Sequence, residues 1–148
     1  MTDYLPKFLV AWGPLILVIC LWFIAAYHYG RKVREAKNPN LEELLCPTDC
    51  ITVARRVDPT NFTRKFAVFI DGKRVGYVHT GEVMHFPTTP GKHSVAVKVD
   101  WCRSKPTVVE KQAGSNVAVW CGSSYNDWRC IFIPFFRPSD YVFVSPHV

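Results

Sequence analysis

The side chains able to do chemistry are five histidines and six cysteines, spread among turn and strand signals. In "TTPGKHSV", residues 88–95, Lys92 follows Pro90-Gly91, which suits either the mouth of a phosphate-binding loop or the corner of a hairpin. A P-loop needs a first Gly four residues ahead of its Gly-Lys pair, a Ser or Thr after the Lys, a strand leading in and a helix leading out. Phe86 occupies the first position, His93 follows Lys92, and "SVAVKVDW" continues with strand period. The segment therefore reads as a type II turn, Pro90 presetting φ and Gly91 supplying the positive φ that follows.

The cysteines divide into Cys20 in an apolar segment and Cys46, Cys50, Cys102, Cys121 and Cys130 beyond it. "CPTDC" lacks a close second pair of Cys or His, so zinc would have to recruit Cys121, Cys130 or His79 from a distance. Strict alternation puts Cys102 on a polar face with Lys98, and Cys121 on an apolar face with Val117 and Val119; a bulge near Trp101 would reverse Cys102. On the cytoplasmic side such thiols stay reduced, whereas in an extracytoplasmic domain Cys46 with Cys50, or Cys102 with Cys121, become disulfide candidates. His79, His85 and His93 stand in or beside strands with no nucleophile arranged to use them. Ser123-Ser124 follows a Gly without the strand-turn-helix context of a nucleophile elbow. Asn61-Phe62-Thr63 matches a glycosylation acceptor, which matters only in a secretory compartment; the expected topology argues against that, and a loop between the first two strands is the better reading. These residues lead us to expect no enzyme, no catalytic residue, no metal and no cofactor.

The elements that position them begin with "FLVAWGPLILVICLWFIAAY", Phe8 to Tyr27, twenty residues without a charge. At ~1.5 Å per residue a helix of that length spans roughly the 30 Å of a bilayer core. Trp12, Trp22, Tyr27 and Tyr29 lie toward its ends, where amphipathic rings favour the headgroups. Arg31, Lys32, Arg34 and Lys37 follow, opposed by Glu35. Cationic flanks stay preferentially in the cytoplasm, so the expectation is a single pass through the cytoplasmic (inner) membrane with the N-terminus outside. Half of the formal net charge of +6 belongs to residues 1–37, which leaves the remainder too mildly basic for a nucleic-acid footprint. Anionic headgroups or an acidic partner surface suit that charge better.

Asn38-Pro39-Asn40 then breaks the helix, and Leu41 to Leu45 fit a short helix along the membrane surface within a linker. From Ile51 the grammar is that of strands cut by turn residues: "ITVARR", "KFAVFID", "KRVGYVH", "EVMHF", "HSVAVKVDW", "PTVVEK" and "NVAVWC". Asp71-Gly72 is a strong type I′ hairpin signal, with Phe66, Val68 and Ile70 on one face ahead of it. "PTVVEK" and "NVAVWC" are expected to pair around Gly114-Ser115. The predicted fold is mainly β: one N-terminal transmembrane α-helix followed by a small antiparallel β-sandwich of about seven strands.

"FAVFIDGKRVGYV", "GEVMHFPTTPGKHSVAVKVD" and "SNVAVWCG" together resemble the PEGA-like β-sandwich modules of bacterial surface and membrane-associated proteins. They are closer still to a group of small bacterial proteins carrying the same hairpin with "DWCRS" and a late "CG". The resemblance covers roughly residues 51–122 and implies a cofactor-free binding or spacer domain. The predicted organisation is an anchor at 1–30, a basic flank and linker at 31–50, the PEGA-like sandwich at 51–122, and a docking tail at 123–148.

The tail, "SSYNDWRCIFIPFFRPSDYVFVSPHV", holds seven aromatic residues between Tyr125 and Phe143. "CIFIPFF" is too short to cross a bilayer, and Pro134 excludes a central strand. The competing expectations are an eighth edge strand completing the sandwich, a disordered end, or an apolar patch that inserts at the interface or buries against a membrane protein. The contact residues expected on that last reading are Trp12, Trp22 and Phe23 on the helix, with Trp128, Arg129, Ile131, Phe132, Phe135, Phe136, Arg137 and Tyr141 on the tail. The chain thus reads as a non-catalytic accessory or scaffold subunit of a larger membrane complex, with lipids and integral membrane subunits as partners and no nucleic acid. An energy-converting assembly, respiratory or photosynthetic, is one candidate by architecture. Alternatives are an envelope-anchored ligand-binding sandwich and a thiol- or zinc-dependent sensor.

Overall fold

The computed structural model describes the backbone of residues 4–40 and 49–146, with side chains from Gly13 onward. Leu41 to Leu45 and Cys46 lie outside the described residues, as do the side chains of Phe8 and Trp12. The chain divides into two units, one ending at Glu35 and one beginning at Ala36.

The first unit is one helix, α1 (Tyr4–Glu35), which runs through Pro14. Its 32 residues correspond to about 48 Å at the α-helical rise. Within it Gly13–Glu35 is long and apolar enough to cross a bilayer. Trp22 and Phe23 are exposed and meet edge to face at 5.2 Å. Arg31 Nε lies 3.3 Å from Glu35 one turn on, so Glu35 partly offsets the basic flank.

The second unit is mainly β. Its strands are β1 (Cys50–Arg55), β2 (Phe66–Ile70), β3 (Lys73–Val78), β4 (Val83–Pro87), β5 (Gly91–Val99), β6 (Cys102–Arg103), β7 (Thr107–Lys111), β8 (Val117–Ser123) and β9 (Val142–Pro146), with a helix, α2 (Arg129–Phe136), between the last two. One sheet has the order β4-β1-β8-β9; the other has β3-β2-β5-β6, with β7 also on β5. Both sheets feed one apolar cluster: Ile51, Val53, Val119 and Val142 from the first, Phe66, Val68, Val95 and Val97 from the second. The period-two burial of β2 places Phe66, Val68 and Ile70 in that core and Ala67 and Phe69 outside it, as the alternation predicts. Asp71 (φ 50°) and Gly72 (φ 77°) both take positive φ in the two-residue β2–β3 turn, as type I′ requires. Gly91 also has positive φ, at 138°.

Three strand-level expectations need correction. β1 and β8 pair in parallel, Ile51 beside Val117 through Arg55 beside Cys121, so the sheets are not wholly antiparallel. These strands are joined by β2 to β7, which include the whole of the other sheet, rather than by a turn, so no hairpin constrains their relative direction. β7 does not pair with β8: it joins β5, Gly91 opposite Lys111 through Val95 opposite Thr107. The nine-residue β5 is long enough to hold β2, β6 and β7, so Gly114-Ser115 lies in a crossover between sheets. Cys102 is buried and Trp101 exposed, the reverse of strict alternation, because Asp100 adopts φ 50° and restarts the period in a tight turn into β6.

The segment after residue 122 is partly woven into this unit. β9 extends the first sheet along β8, Ser123 opposite Val142 and Cys121 opposite Val144, as the edge-strand expectation has it. At the other end, Asn38 Oδ1 accepts the Val57 N–H at 2.8 Å, which ties the chain just past the α1 terminus to the β1–β2 loop.

Candidate functional site

Asn126-Asp127 opens α2: the Asp127 carboxylate accepts the Arg129 N–H at 3.0 Å, serving a donor that the first turn leaves unpaired. Trp128, Ile131, Phe132, Phe135 and Phe136 then recur at i, i+3, i+4, i+7 and i+8, the spacing of one helical face. That face points outward. The five side chains are between 52% and 79% exposed, whereas Pro134 is buried and Cys130 and Ile133 pack against the core. Trp128 and Phe132 meet edge to face at 6.1 Å. Arg129 and Arg137 flank the stripe, both exposed, Arg129 Nε lying 3.5 Å from Asp127.

A second element holds this helix down. Trp101 Nε1–H donates to the Pro134 carbonyl at 3.0 Å, an oxygen near the helix end without an intrahelical donor. The Trp101 ring lies 5.8 Å from that of Phe135 and, itself exposed, adds to the aromatic surface. Trp101, Ile131 and Phe135 also line a cavity of about 240 Å³, together with the polar residues Asn61, Arg64 and Asp100.

Tyr141, expected on the contact surface, is instead buried, and its hydroxyl accepts the Asn61 amide N–H at 2.9 Å. The reason is a buried polar network that sequence reading does not reveal. Arg55, the last residue of β1, is fully buried with its guanidinium 3.6 Å from the Phe66 ring centroid. It faces Asp58 at 3.3 Å and donates to the carbonyls of Asn61 (2.7 Å) and Arg64. Asp58 accepts the Asn61 N–H (2.8 Å) and the Ser123 hydroxyl (3.1 Å), and Asn61 Nδ2 donates to Ser123 at 2.7 Å. Burial lowers the Arg55 pKa, and the charge of Asp58 opposes that shift. Asn61 is thus a buried structural amide whose Nδ2 serves Ser123 and Tyr141, not an exposed glycosylation acceptor. The Arg at the sixth position of "CITVAR" was the available signal, since a charge ending a buried strand must be matched.

Several of the remaining chemical side chains are likewise engaged. His93 Nδ1 lies 2.7 Å from Asp71 and Nε2 2.8 Å from the Thr89 carbonyl, an arrangement that uses both ring protons of the imidazolium. The Asp71 hydrogen bond accordingly raises the His93 pKa. Thr52 donates its hydroxyl proton to Asn116 Oδ1 (2.8 Å), so its 2.9 Å contact with His85 Nδ1 has the ring as donor, which is not the polarity of a base activating a nucleophile. Lys111 is buried and paired with Asp49 at 3.0 Å. Cys102 and Cys121 are buried free thiols, Cys121 pushed up to about 12 by desolvation. Among the described residues no three His, Cys, Asp or Glu side chains are grouped to hold a metal.

The structure therefore assembles Trp128, Arg129, Ile131, Phe132, Phe135, Phe136 and Arg137 on one short helix, adds Trp101, and removes Tyr141 to the interior. Trp22 and Phe23 are exposed on α1. No family model, no curated protein and no solved structure matches this chain. What the described site offers is apolar contact area rimmed by cations.

Proposed function

We propose that this chain is a non-catalytic, single-pass membrane protein that serves as an accessory or scaffold subunit of a larger membrane complex. In this reading α1 crosses the cytoplasmic membrane with its N-terminus outside, and the two-sheet unit is a PEGA-like sandwich presented on the cytoplasmic side. The observation that carries the reading is the outward aromatic stripe of α2: five large apolar side chains in helical register, left out of the core. Contiguous apolar surface of this kind marks contact sites on proteins. The apolar length of Gly13–Glu35 and the cations Arg31, Lys32 and Arg34 support the anchor and its orientation. Anchoring confines the unit to the membrane plane, so even weak contacts hold a partner through high effective concentration.

Purification of the tagged full chain in mild detergent tests this. A stoichiometric set of membrane subunits is expected, and a monodisperse chain alone would sink the reading. Labelling intact cells with a membrane-impermeant thiol reagent checks the orientation; modification of Cys130 from outside would reverse it.

A further inference from the structure

The outer face of the β3-β2-β5-β6 sheet carries a second surface. Register places Tyr77 opposite Ala67, Ala67 opposite Lys98, and Lys98 opposite Arg103, one row across four strands. The next row sets Arg74 opposite Phe69. Lys98 and Arg103 are thus directly opposed like charges, normally an unfavourable cross-strand pair. Lys65 completes the group, 4.5 Å from the Tyr77 ring centroid, with Arg74 over the same ring at 5.4 Å and Arg103 over Phe69 at 4.9 Å. None of Lys65, Arg74, Lys98 and Arg103 has a carboxylate partner among the described residues. The nearby acids are engaged or displaced: Asp100 with Arg64, Asp71 with His93, and Glu110 opposite Lys92 at the far end of β5.

This cationic face is continuous with the aromatic one. Arg64 and Asp100 border both the depression over Lys65, Arg74 and Lys98 and the cavity beneath Trp101 and Phe135. Exposed apolar side chains and cations without carboxylate partners therefore share an edge. We infer that the two together form a docking surface for an anionic phospholipid bilayer, with α2 lying in the interfacial layer and the sheet cations on the headgroups. Two features favour lipid over other polyanions. Cations already cover Tyr77 and Phe69, which closes those rings to base stacking, and the α2 stripe sets aliphatic Ile131 among its aromatic rings on one helix face, the pattern of an interfacial amphipathic helix rather than of a base-stacking platform. The anchor confines the folded unit to the membrane plane, and to that extent the inference rests on the proposed membrane crossing of α1. Protein partners would then engage α1 and the other sheet.

The test is hydrogen exchange of the full chain in nanodiscs of phosphatidylcholine alone and of phosphatidylcholine with phosphatidylglycerol. Residues 98–103 and 129–136 should exchange more slowly in the anionic discs, and the difference should vanish in 1 M salt, where the Debye length falls to about 3 Å. Each surface cation contributes about fivefold to such docking, so Lys98→Gln/Arg103→Gln should weaken it by about 25-fold. Unchanged protection of 117–123 in that variant reports an intact fold. Equal exchange in both discs, an unaltered variant, or protection that appears only when an acidic protein is added would each overturn the lipid assignment. Failure of the chain to remain in discs of either composition would instead refute the anchor on which it rests.

Discussion

Asp58→Asn is the sharpest probe of how the contact-bearing segment is fixed. The Arg55 and Asp58 side chains are 0% and 3% exposed, so removing the carboxylate charge leaves a buried guanidinium without its counter-ion. Breaking a buried pair in this way costs about 3–5 kcal/mol. Tyr141→Phe deletes one neutral hydrogen bond from the same network and should cost about 1 kcal/mol. With total stability of about 5–15 kcal/mol for a domain of this kind, the first substitution consumes much of it and the second little. Urea unfolding of the full chain in detergent, followed by tryptophan fluorescence, separates them: at a slope near 2 kcal/mol per molar, the midpoint should fall by about 2 M for Asp58→Asn and about 0.5 M for Tyr141→Phe.

The cycle with Arg55→Met sharpens the reading. Arg55→Met strands the carbonyls of Asn61 and Arg64 and is itself expensive. Once the cation is gone, however, the charge of Asp58 has lost its main attraction, so the double variant should be less damaged than the two singles summed, by about 1–3 kcal/mol. If Asp58→Asn shifts the midpoint no more than Tyr141→Phe, water reaches the guanidinium and the buried-pair argument is refuted. Additive singles would likewise deny direct coupling.

Other expectations follow from the same geometry. Because the folded-state pKa of His93 is raised by Asp71, its stabilisation is complete below the unfolded value near 6.5 and is lost as pH rises through the folded pKa; His93→Gln should flatten that slope in denaturation series from pH 6 to 9. Gly76→Ala places a Cβ 2.8 Å from Phe86 Cε1 in the core and should cost about 1–3 kcal/mol by thermal unfolding, whereas Gly114→Ala should act through its positive φ alone. Cys121, with its pKa pushed up to about 12 and its side chain buried, should resist maleimide at pH 8 until urea unfolds the chain, as mass spectrometry would read. Phe136→Ser alters a side chain that is 79% exposed, so stability should move by about 0.5 kcal/mol or less while the slowed exchange of residues 129–136 on anionic discs is lost.

What could be read from the sequence follows from the range of the forces involved. The β2–β3 hairpin was legible because Asp71-Gly72 and the alternation of Phe66, Val68 and Ile70 are local signals. The apolar run of α1 was legible for the same reason. Pairings between distant strands were not: nothing near Val117 specifies that β8 lies parallel to β1, and the short link from Lys111 to Val117 invites a hairpin that competition for β5 prevents. α2 was missed although its signal was present, because Pro134 and the aromatic content drew the reading toward extended chain. The spacing of Trp128, Ile131, Phe132, Phe135 and Phe136 is helical, and Pro134 is tolerated where the short helix is already ending. Tyr141 was misplaced for a different reason, since its burial depends on Asn61 and Ser123, residues far away in sequence whose polar groups require a partner.

The division of labour within α2 is what connects fold to function. Its inner residues Cys130 and Ile133 pack against the core, Pro134 is buried and Trp101 bonds its carbonyl, whereas the outer stripe, apart from the Phe135 contact with Trp101, faces away from that core. Burying each of those outer side chains is worth about 1.5–3 kcal/mol, and the fold leaves that free energy unused. A chain that needed them for stability would have turned the stripe inward, because the same eight residues rotated by half a turn would bury Phe132, Phe135 and Phe136. The rigid anchoring of the opposite face instead presents them as an ordered surface, whose side chains lose less freedom on contact than those of a flexible tail. Separable loss of contact and of stability is therefore the behaviour that distinguishes an interface helix from a misassigned piece of core.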